Sequence, residues 1–149
     1  MSTQPPIRVV IADDHKLFAE ALGLNLDADP RLDVVGYARD GREAVELSAS
    51  LEPDVVLMDL DMPVMDGIEA TREICRSGSV RVAMLTASPR PEDSLRAREA
   101  GAAAYLTKGC SFHEVVDAVL ELATPSRPDS PVSRGFRPSL LQFRAGLAH

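Results

Sequence analysis

The stretch PDVVLMDLDMPVMDG, residues 53–67, decides the fold of this chain. Residues 55–58 form a short, continuous apolar run that begins with two valines, which is typical of a strand buried on both faces of a parallel sheet. Pro63 cannot donate to a strand ladder, and the pair Asp66-Gly67 favours a turn or the start of a helix. The chain must therefore leave the sheet just after Asp59. Because ligands of open α/β sheets bind outside the carboxyl ends of the strands, Asp59 is the first candidate functional residue.

Apolar runs and amphipathic stretches alternate on both sides of this stretch. They predict strands at residues 7–12, 32–38, 54–58, 80–85 and 102–106, and helices at residues 15–28, 42–51, 68–76, 91–100 and 112–123. Five strands alternating with five helices predict an α/β fold with a doubly wound parallel sheet, because parallel neighbours need right-handed helical crossovers. We expect the strand order 2-1-3-4-5. Residues 1–6 are predicted to be a flexible lead, residues 7–123 one domain, and residues 124–149 a tail.

Composition restricts the class of protein. The chain has 149 residues, of which 45% are hydrophobic, so it can bury one good core. It has two cysteines, far apart and outside any metal-binding spacing, and no secretory segment or membrane-length apolar run, so we expect a reducing, cytoplasmic location without membrane contact. The tail from residue 124 onward has four arginines and one aspartate, a charge of +3. Because the net charge of the whole chain is −7, residues 1–123 carry −10. An acidic domain body is not expected to bind nucleic acid.

Polar residues end four of the predicted strands. Asp13 and Asp14 follow the first strand, Asp59 ends the third, Thr86 follows the fourth, and Lys108 comes just after the fifth. With the first and third strands adjacent, the three carboxylates should meet in one crevice. Carboxylates this close repel one another unless a cation neutralises them, and hard oxygen ligands suit Mg²⁺ or Mn²⁺. The pattern therefore predicts a divalent metal site.

The same residues predict phosphoryl chemistry. The ammonium group of Lys108 and the hydroxyl of Thr86 could each hold a phosphoryl oxygen, and a carboxylate can itself accept the phosphoryl group. Phosphoryl transfer needs positioning and charge neutralisation more than covalent assistance. The set of residues thus fits a site where Asp59 becomes an aspartyl phosphate. Asp61 and Ser88, each two residues beyond a rim residue, should control how water approaches that phosphate.

Between about residues 7 and 123 the sequence resembles the response-regulator receiver domains of two-component signalling, which have a flavodoxin-like fold. The matching motifs occur in order along the chain: IADDH at 11–15, MDLDMP at 58–63 with Asp66-Gly67, LTA at 85–87 and YLTK at 105–108. The stretches ADDH and MDGIEATR look most like the subfamily that usually carries a C-terminal helix-turn-helix DNA-binding domain. Residues 124–149 are too few for that domain.

The resemblance implies roles for individual residues. Asp59 would accept phosphate from a sensor histidine kinase. Mg²⁺ would be held by Asp13, Asp14 and Asp59 together with the main-chain carbonyl of Asp61. Lys108 would contact the phosphoryl group. Thr86 and Tyr105 would move on activation, with Tyr105 turning from an exposed to a buried orientation.

The output is expected to involve proteins and not DNA. Thr86 and Tyr105 would reshape the face formed by the fourth helix, fifth strand and fifth helix, so phosphorylation is expected to create a homodimer or a protein-binding face. Residues 125–139 hold four prolines and four serines, which is typical of a linker or a disordered segment. Direct DNA binding by this chain is not expected.

Two other function classes are compatible with parts of the sequence. Asp59-Leu60-Asp61 is also the Asp-x-Asp of haloacid-dehalogenase-like phosphatases, although the acidic pair at 13–14 comes early and not late in the chain. A phosphorylation-independent interaction module is the other alternative, although such modules usually lack an acid or the lysine. Simpler roles are an N-cap for Asp14, a solvated first-turn side chain for His15, and packing without redox function for Cys75 and Cys110.

Overall fold

A computed structural model describes residues 4–123. The predicted tail, residues 124–149, lies outside the described residues, as do the first three residues of the predicted lead. Residues 4–6 are exposed and have no regular secondary structure. Within residues 4–123, every helix is too short or too polar to cross a membrane.

Strands and helices alternate from the first to the last described element. The strands are β1 (Ile7–Ala12), β2 (Leu32–Ala38), β3 (Val55–Asp59), β4 (Arg81–Thr86) and β5 (Ala104–Thr107). The helices are α1 (Lys16–Asp27), α2 (Gly41–Leu51), α3 (Gly67–Cys75), α4 (Pro91–Ala100) and α5 (Phe112–Ala123). The predicted alternation of strands and helices is therefore confirmed.

The five strands form one parallel sheet in the order β2-β1-β3-β4-β5, as predicted. β1 lies between β2 and β3, with a register shift between Val9 and Val10 on its β2 side. β3 is the central strand, and all five of its residues are buried. This order places the carboxyl ends of β1 and β3 side by side, at the switch point where the chain reverses its direction of winding.

The helices cover both faces of the sheet. α1 packs against α5, while α2 packs against α3 and α3 against α4. The core between these layers is aliphatic, and the side chains of Val10, Leu57 and Met84 are fully buried in it. Burial on both faces explains why β3 is apolar throughout and does not alternate in polarity.

Local signals set most of the boundaries. Ser111 followed three residues later by Glu114 is the sequence pattern of a capping box, and the structure has one at the start of α5. The Glu114 N–H donates to Ser111 Oγ at 3.1 Å and the Ser111 N–H donates to Glu114 Oε1 at 2.9 Å. The clearest deviation is β5, which begins two residues later than predicted. There the Ala102 N–H donates to the Ala97 carbonyl at 2.9 Å and completes the end of α4.

Candidate functional site

The sheet brings the predicted polar residues to one edge. Asp13 follows β1 directly, Asp59 ends β3, Thr86 ends β4, and Lys108 follows β5. Asp13 and Asp59 are each 4% exposed, and Thr86 is fully buried. Parallel strands place their carboxyl ends at the same edge, so four separate pieces of sequence contribute to one site.

Three carboxylates and one imidazole form a compact cluster. One ligand atom from each of Asp13, Asp14, His15 and Asp59 lies within 4.8 Å of the others. The Asp13 N–H donates to the Ala38 carbonyl at 2.9 Å, which holds this residue at the end of the sheet. The Asp13 carboxylate in turn accepts the His15 N–H at 2.8 Å. The predicted convergence of Asp13, Asp14 and Asp59 is thus present in the structure.

Lys108 provides the positive charge of the site. Its Nζ lies 2.7 Å from Asp13 Oδ2 and 3.5 Å from Asp59 Oδ1. The Lys108 N–H donates to the Thr86 carbonyl at 2.7 Å, which fixes the backbone of the loop after β5. The ammonium group also lies 4.7 Å from the centroid of the Phe18 ring, a cation–π contact. The Lys108 ammonium group therefore lies between the two buried carboxylates on one side and the ring of Phe18 on the other.

The pKa of Asp59 lies well above its ordinary value. Burial is the largest cause, and the neighbouring Asp13 carboxylate adds to it, so the pKa of Asp59 rises to about 7 in spite of Lys108. Asp59 Oδ2 is buried and has no hydrogen-bond partner among the described residues. A buried, unpaired carboxylate oxygen beside two other acids is the arrangement expected where a cation or an incoming group completes the site.

The loop after β3 passes very close to Asp59. The Gly67 N–H donates to the Leu60 carbonyl at 2.9 Å, and a Cβ at Gly67 would clash with the carbonyl oxygen of Asp59. Within the loop, Val64 has a φ of +70°, and the Met65 N–H donates to the Pro63 carbonyl at 2.7 Å. This tight turn brings the chain back to the start of α3 within a few residues of Asp59.

Thr86, Ser88 and Asp61 occupy the rim. Thr86 Oγ1 accepts the Ser88 N–H at 3.2 Å, which orients the hydroxyl and leaves its own proton available for another acceptor. Ser88 and Asp61 are exposed. Their side chains are accessible to water, and their role in phosphate lifetime stays a prediction, as does the role of the Asp61 carbonyl.

Tyr105 differs from expectation in its orientation. The sequence led us to expect an exposed side chain that turns inward on activation, but Tyr105 is only 4% exposed. Burial raises the pKa of its hydroxyl. Tyr105 lies in β5 and is paired with Met84 of β4, two residues before Thr86 at the carboxyl end of that strand. The inward orientation is therefore the one that packing in this structure already favours.

Sequence reasoning missed two neighbours of the site. His15 was expected to be a solvated first-turn residue, and its side chain is 70% exposed, yet its Nδ1 lies 3.3 Å from Asp13 Oδ1 and 3.6 Å from Asp14 Oδ1. Its position directly after two aspartates was the available signal. Phe18 falls within the predicted first helix, and nothing in the sequence indicated its contact with Lys108.

The two cysteines stand apart from this chemistry. Cys75 and Cys110 are both free and half-buried, as predicted. Burial raises the pKa of both thiols, which makes the reactive thiolate scarcer near neutral pH.

Comparison with known proteins agrees with the geometry. The response regulator receiver domain family matches residues 9–120. The transcriptional regulatory protein LiaR of Bacillus subtilis is 44% identical over 114 residues, covering 76% of this chain and 54% of the relative. The response regulator GacA of Pseudomonas aeruginosa is 38% identical over 126 residues, covering 84% of this chain and 59% of the relative. The chain thus spans a little over half the length of these two relatives.

A solved structure gives the same result. The chain is similar to the signal receiver domain of the putative response regulator NarL from Mycobacterium tuberculosis, with a TM-score of 0.77 and 38% identity, over 80% of this chain and 98% of the other. The haloacid-dehalogenase alternative has no support from the family match or from this likeness. LiaR, one of the relatives named above, is a transcriptional regulatory protein, and the chain belongs to the receiver domains of two-component response regulators.

Proposed function

We propose that this domain accepts a phosphoryl group on Asp59 in a Mg²⁺-dependent reaction, with a phosphohistidine of a sensor histidine kinase as the donor. The observation that carries the proposal is Asp59 Oδ2, which is buried, has no partner among the described residues, and lies beside two further carboxylates. Burying such an oxygen is unfavourable unless another group uses it. Three acids and one lysine at a sheet edge suit phosphoryl transfer to a carboxylate.

The residues present fit a divalent cation. The carboxylates of Asp13, Asp14 and Asp59 would hold it, and we add the main-chain carbonyl of Asp61 as a further oxygen ligand. Oxygen donors suit Mg²⁺, with Mn²⁺ as an acceptable substitute. The imidazole of His15 is left out of this set, because Mg²⁺ prefers oxygen to nitrogen. When bound, the cation would offset the negative charge of the acids and of the phosphoryl oxygens.

Asp59 acts as the nucleophile in this proposal. One of its carboxylate oxygens attacks the phosphorus atom, and the bond between phosphorus and the donor's imidazole nitrogen breaks. The electron pair of that bond stays on the nitrogen, which takes up a proton from water. The products are an acyl phosphate on Asp59 and a neutral histidine on the donor, without any change of oxidation state.

Lys108 and Thr86 position the transferred group. The Lys108 ammonium group already lies 3.5 Å from Asp59 Oδ1, so a phosphoryl oxygen on Asp59 would fall within its reach. The Thr86 hydroxyl would donate to a second phosphoryl oxygen while still accepting the Ser88 N–H. Asp61 and Ser88 are exposed at the rim and would set the lifetime of the phosphate, because water must pass them. Replacing either with alanine should change the dephosphorylation rate.

Phosphorylation would act on the face formed by α4, β5 and α5. A phosphoryl group adds about −1.5 to −2 charges next to Thr86. We infer that it stabilises the buried arrangement of Thr86 and Tyr105 against alternatives in which they turn outward. The stabilised face would bind a second copy or another protein. Sequence-specific DNA binding is not expected from the described part of the chain.

The direct test is labelling with acetyl phosphate in the presence of Mg²⁺, followed by intact-mass measurement. One phosphoryl group should be added, and hydroxylamine should remove it because an acyl phosphate is labile to that reagent. Asp59→Asn should abolish the labelling. Asp14→Ala should raise the Mg²⁺ concentration that is needed, and excess Mg²⁺ should partly restore the reaction. Asp117→Asn, an exposed acid-to-amide change on α5, is the matched control and should be labelled normally.

Two results would contradict the proposal. Unchanged labelling of Asp59→Asn would place the phosphate elsewhere. A chain that is never labelled, by acetyl phosphate or by any phosphorylated kinase, and that still binds a partner would support the phosphorylation-independent interaction module instead.

A further inference from the structure

Helix α1 is apolar on two opposite faces. Its inner face buries Ala19, Leu22 and Leu26 against the sheet. On its outer face, Leu17 and Leu24 are 82% and 74% exposed. Residues 17, 21, 24 and 28, which we call the α1 stripe, are Leu, Ala, Leu and Ala, and they follow the spacing of one helix face. A surface helix normally turns polar residues outward, so an apolar outer face indicates a surface that is covered by something.

One long edge of the α1 stripe carries charges of both signs, since Lys16 of α1 and Arg39 line it together with acidic residues. Glu20 and Asp27 are exposed, lie seven residues apart and flank the stripe on the side of β2, where Asp27 Oδ1 accepts the Val34 N–H at 2.9 Å. Tyr37 of β2 lies on the same side, against Gly23 of α1, where a Cβ would clash with the tyrosine hydroxyl. Tyr37 is 45% exposed and so extends the apolar surface next to the two acids. The occupant of this surface should therefore bring apolar side chains, and the net charge of −10 on residues 1–123 as a whole favours positive charge in it.

We propose that residues 136–147 of the same chain bind the α1 stripe. Four of their apolar residues repeat the spacing of the stripe, namely Phe136, Leu140, Phe143 and Leu147, while Leu141 and Ala145 fall outside it. Arg137 and Arg144 lie seven residues apart, as do Glu20 and Asp27. A segment with apolar anchors at this spacing matches the general way in which amphipathic peptides bind apolar surfaces.

The charge balance and the chain length support this occupant. Residues 124–149 have four arginines and one aspartate, a charge of +3, against −10 for the rest of the chain. α5 ends at Ala123 and packs against α1, with the rings of Phe18 and Phe112 6.0 Å apart. Residues 124–135 can span roughly 40 Å when extended, at about 3.3 Å per residue, which exceeds the length of α1. Because the segment is tethered, its effective concentration is on the order of millimolar, so weak contacts are sufficient.

A tryptophan placed in the stripe would report on the segment. The chain contains no tryptophan, so Leu24→Trp gives a single fluorophore on an exposed position that does not contribute to the core. Quenching of its fluorescence by acrylamide should be weaker in the full chain than in the same chain with Leu140→Ser and Phe143→Ser, by roughly two-fold if the tethered segment covers the stripe most of the time. Arg137→Glu with Arg144→Glu should increase quenching in the same way.

Leu95→Trp is the matched control. Leu95 is also an exposed leucine, 55% exposed on α4, and lies outside the α1 stripe. Quenching of the fluorophore in this control should not respond to the changes at 140 and 143.

Three results would overturn the proposal. The first is equal quenching of the Leu24→Trp variant with the intact and with the altered segment. The second is a response of the Leu95→Trp control as large as that of the Leu24→Trp variant. The third is a fluorescence signal of the Leu24→Trp variant that depends on protein concentration, because it would show that another copy covers the stripe.

Discussion

At the scale of single residues, Asp59 links the chemistry of the site to its stability. The folded pKa of about 7 exceeds the ordinary 3.8, so between these two values the folded state binds more protons than the unfolded state. The free energy of unfolding should therefore fall as pH rises through this window, and the loss should persist above it. Burying the ionised carboxylate of Asp59 thus lowers the stability of the folded domain, and the rest of the fold offsets this cost.

Asp59→Asn should remove this pH-dependent loss. We expect the variant to be more stable than the natural sequence at pH 8, because no charge has to be buried, and the difference should shrink as pH falls towards the ordinary carboxylate pKa. Urea unfolding with a chelator at several pH values measures this. Added Mg²⁺ should stabilise the natural sequence more than the variant. A stability difference that does not change with pH would show that the charge of Asp59 is not the cause.

Gly67 is the second residue whose substitution has a predictable effect. Because a Cβ there would clash with the Asp59 carbonyl oxygen, Gly67→Ala must displace either β3 or α3. We expect a loss of about 1–3 kcal/mol in the free energy of unfolding, as is usual for overpacking, together with slower phosphorylation. Gly109→Ala is the matched control, since its Cβ would meet only the Thr107 hydroxyl at an ordinary 3.7 Å. Similar stability of the two variants would contradict the steric argument.

At the scale of elements, α5 is defined by its first turn. Ser111 and Glu114 satisfy each other's backbone N–H groups, and the helix that follows buries Val115, Val119 and Leu122. Ser111→Ala should lower the free energy of unfolding by about 1 kcal/mol, because the Glu114 N–H loses the Ser111 hydroxyl and keeps only the Ser111 carbonyl as an acceptor. Chemical denaturation measures the change, and Ser111→Asp should restore most of it. Full stability of the alanine variant would mean that packing alone sets the start of α5.

At the scale of the whole molecule, the expected response to phosphorylation is assembly. The face of α4, β5 and α5 should be stabilised by a phosphoryl group next to Thr86, since a few kcal/mol can move a domain from mostly inactive to mostly active. Beryllofluoride with Mg²⁺ mimics the acyl phosphate and should increase self-association, or binding to a protein partner, in sedimentation or light scattering. It should not create salt-resistant binding to one DNA sequence.

Thr86→Ala and Tyr105→Ala are the controls for this coupling. Both should still bind beryllofluoride without the change in association, although Thr86→Ala should need more of it because the variant lacks the hydroxyl that contacts the phosphoryl group. Because Tyr105 is already buried, we expect Tyr105→Ala also to be less stable, so its folding must be checked separately. An unchanged mass of the natural sequence, with no partner gained, would remove the claim of assembly.

Much of the fold was determined by the sequence alone. The apolar run of β3, the turn residues behind it and the alternation of strands and helices were enough for the sheet order, because parallel strands allow few connections. The capping box at Ser111 was local and therefore predictable. The start of β5 was less so, since the Ala102 N–H donates back to the Ala97 carbonyl of α4 there.

The site shows where sequence reasoning reaches its limit. The sequence determined which acids end which strands, and the order of the strands then required Asp13, Asp14 and Asp59 to converge. Only the tertiary structure decided how deeply Asp59 is buried, that its Oδ2 has no partner among the described residues, and that Lys108 lies between two acids and Phe18. Tyr105 turned inward for the same reason. Such properties depend on packing between segments far apart in the chain, and no local pattern encodes them.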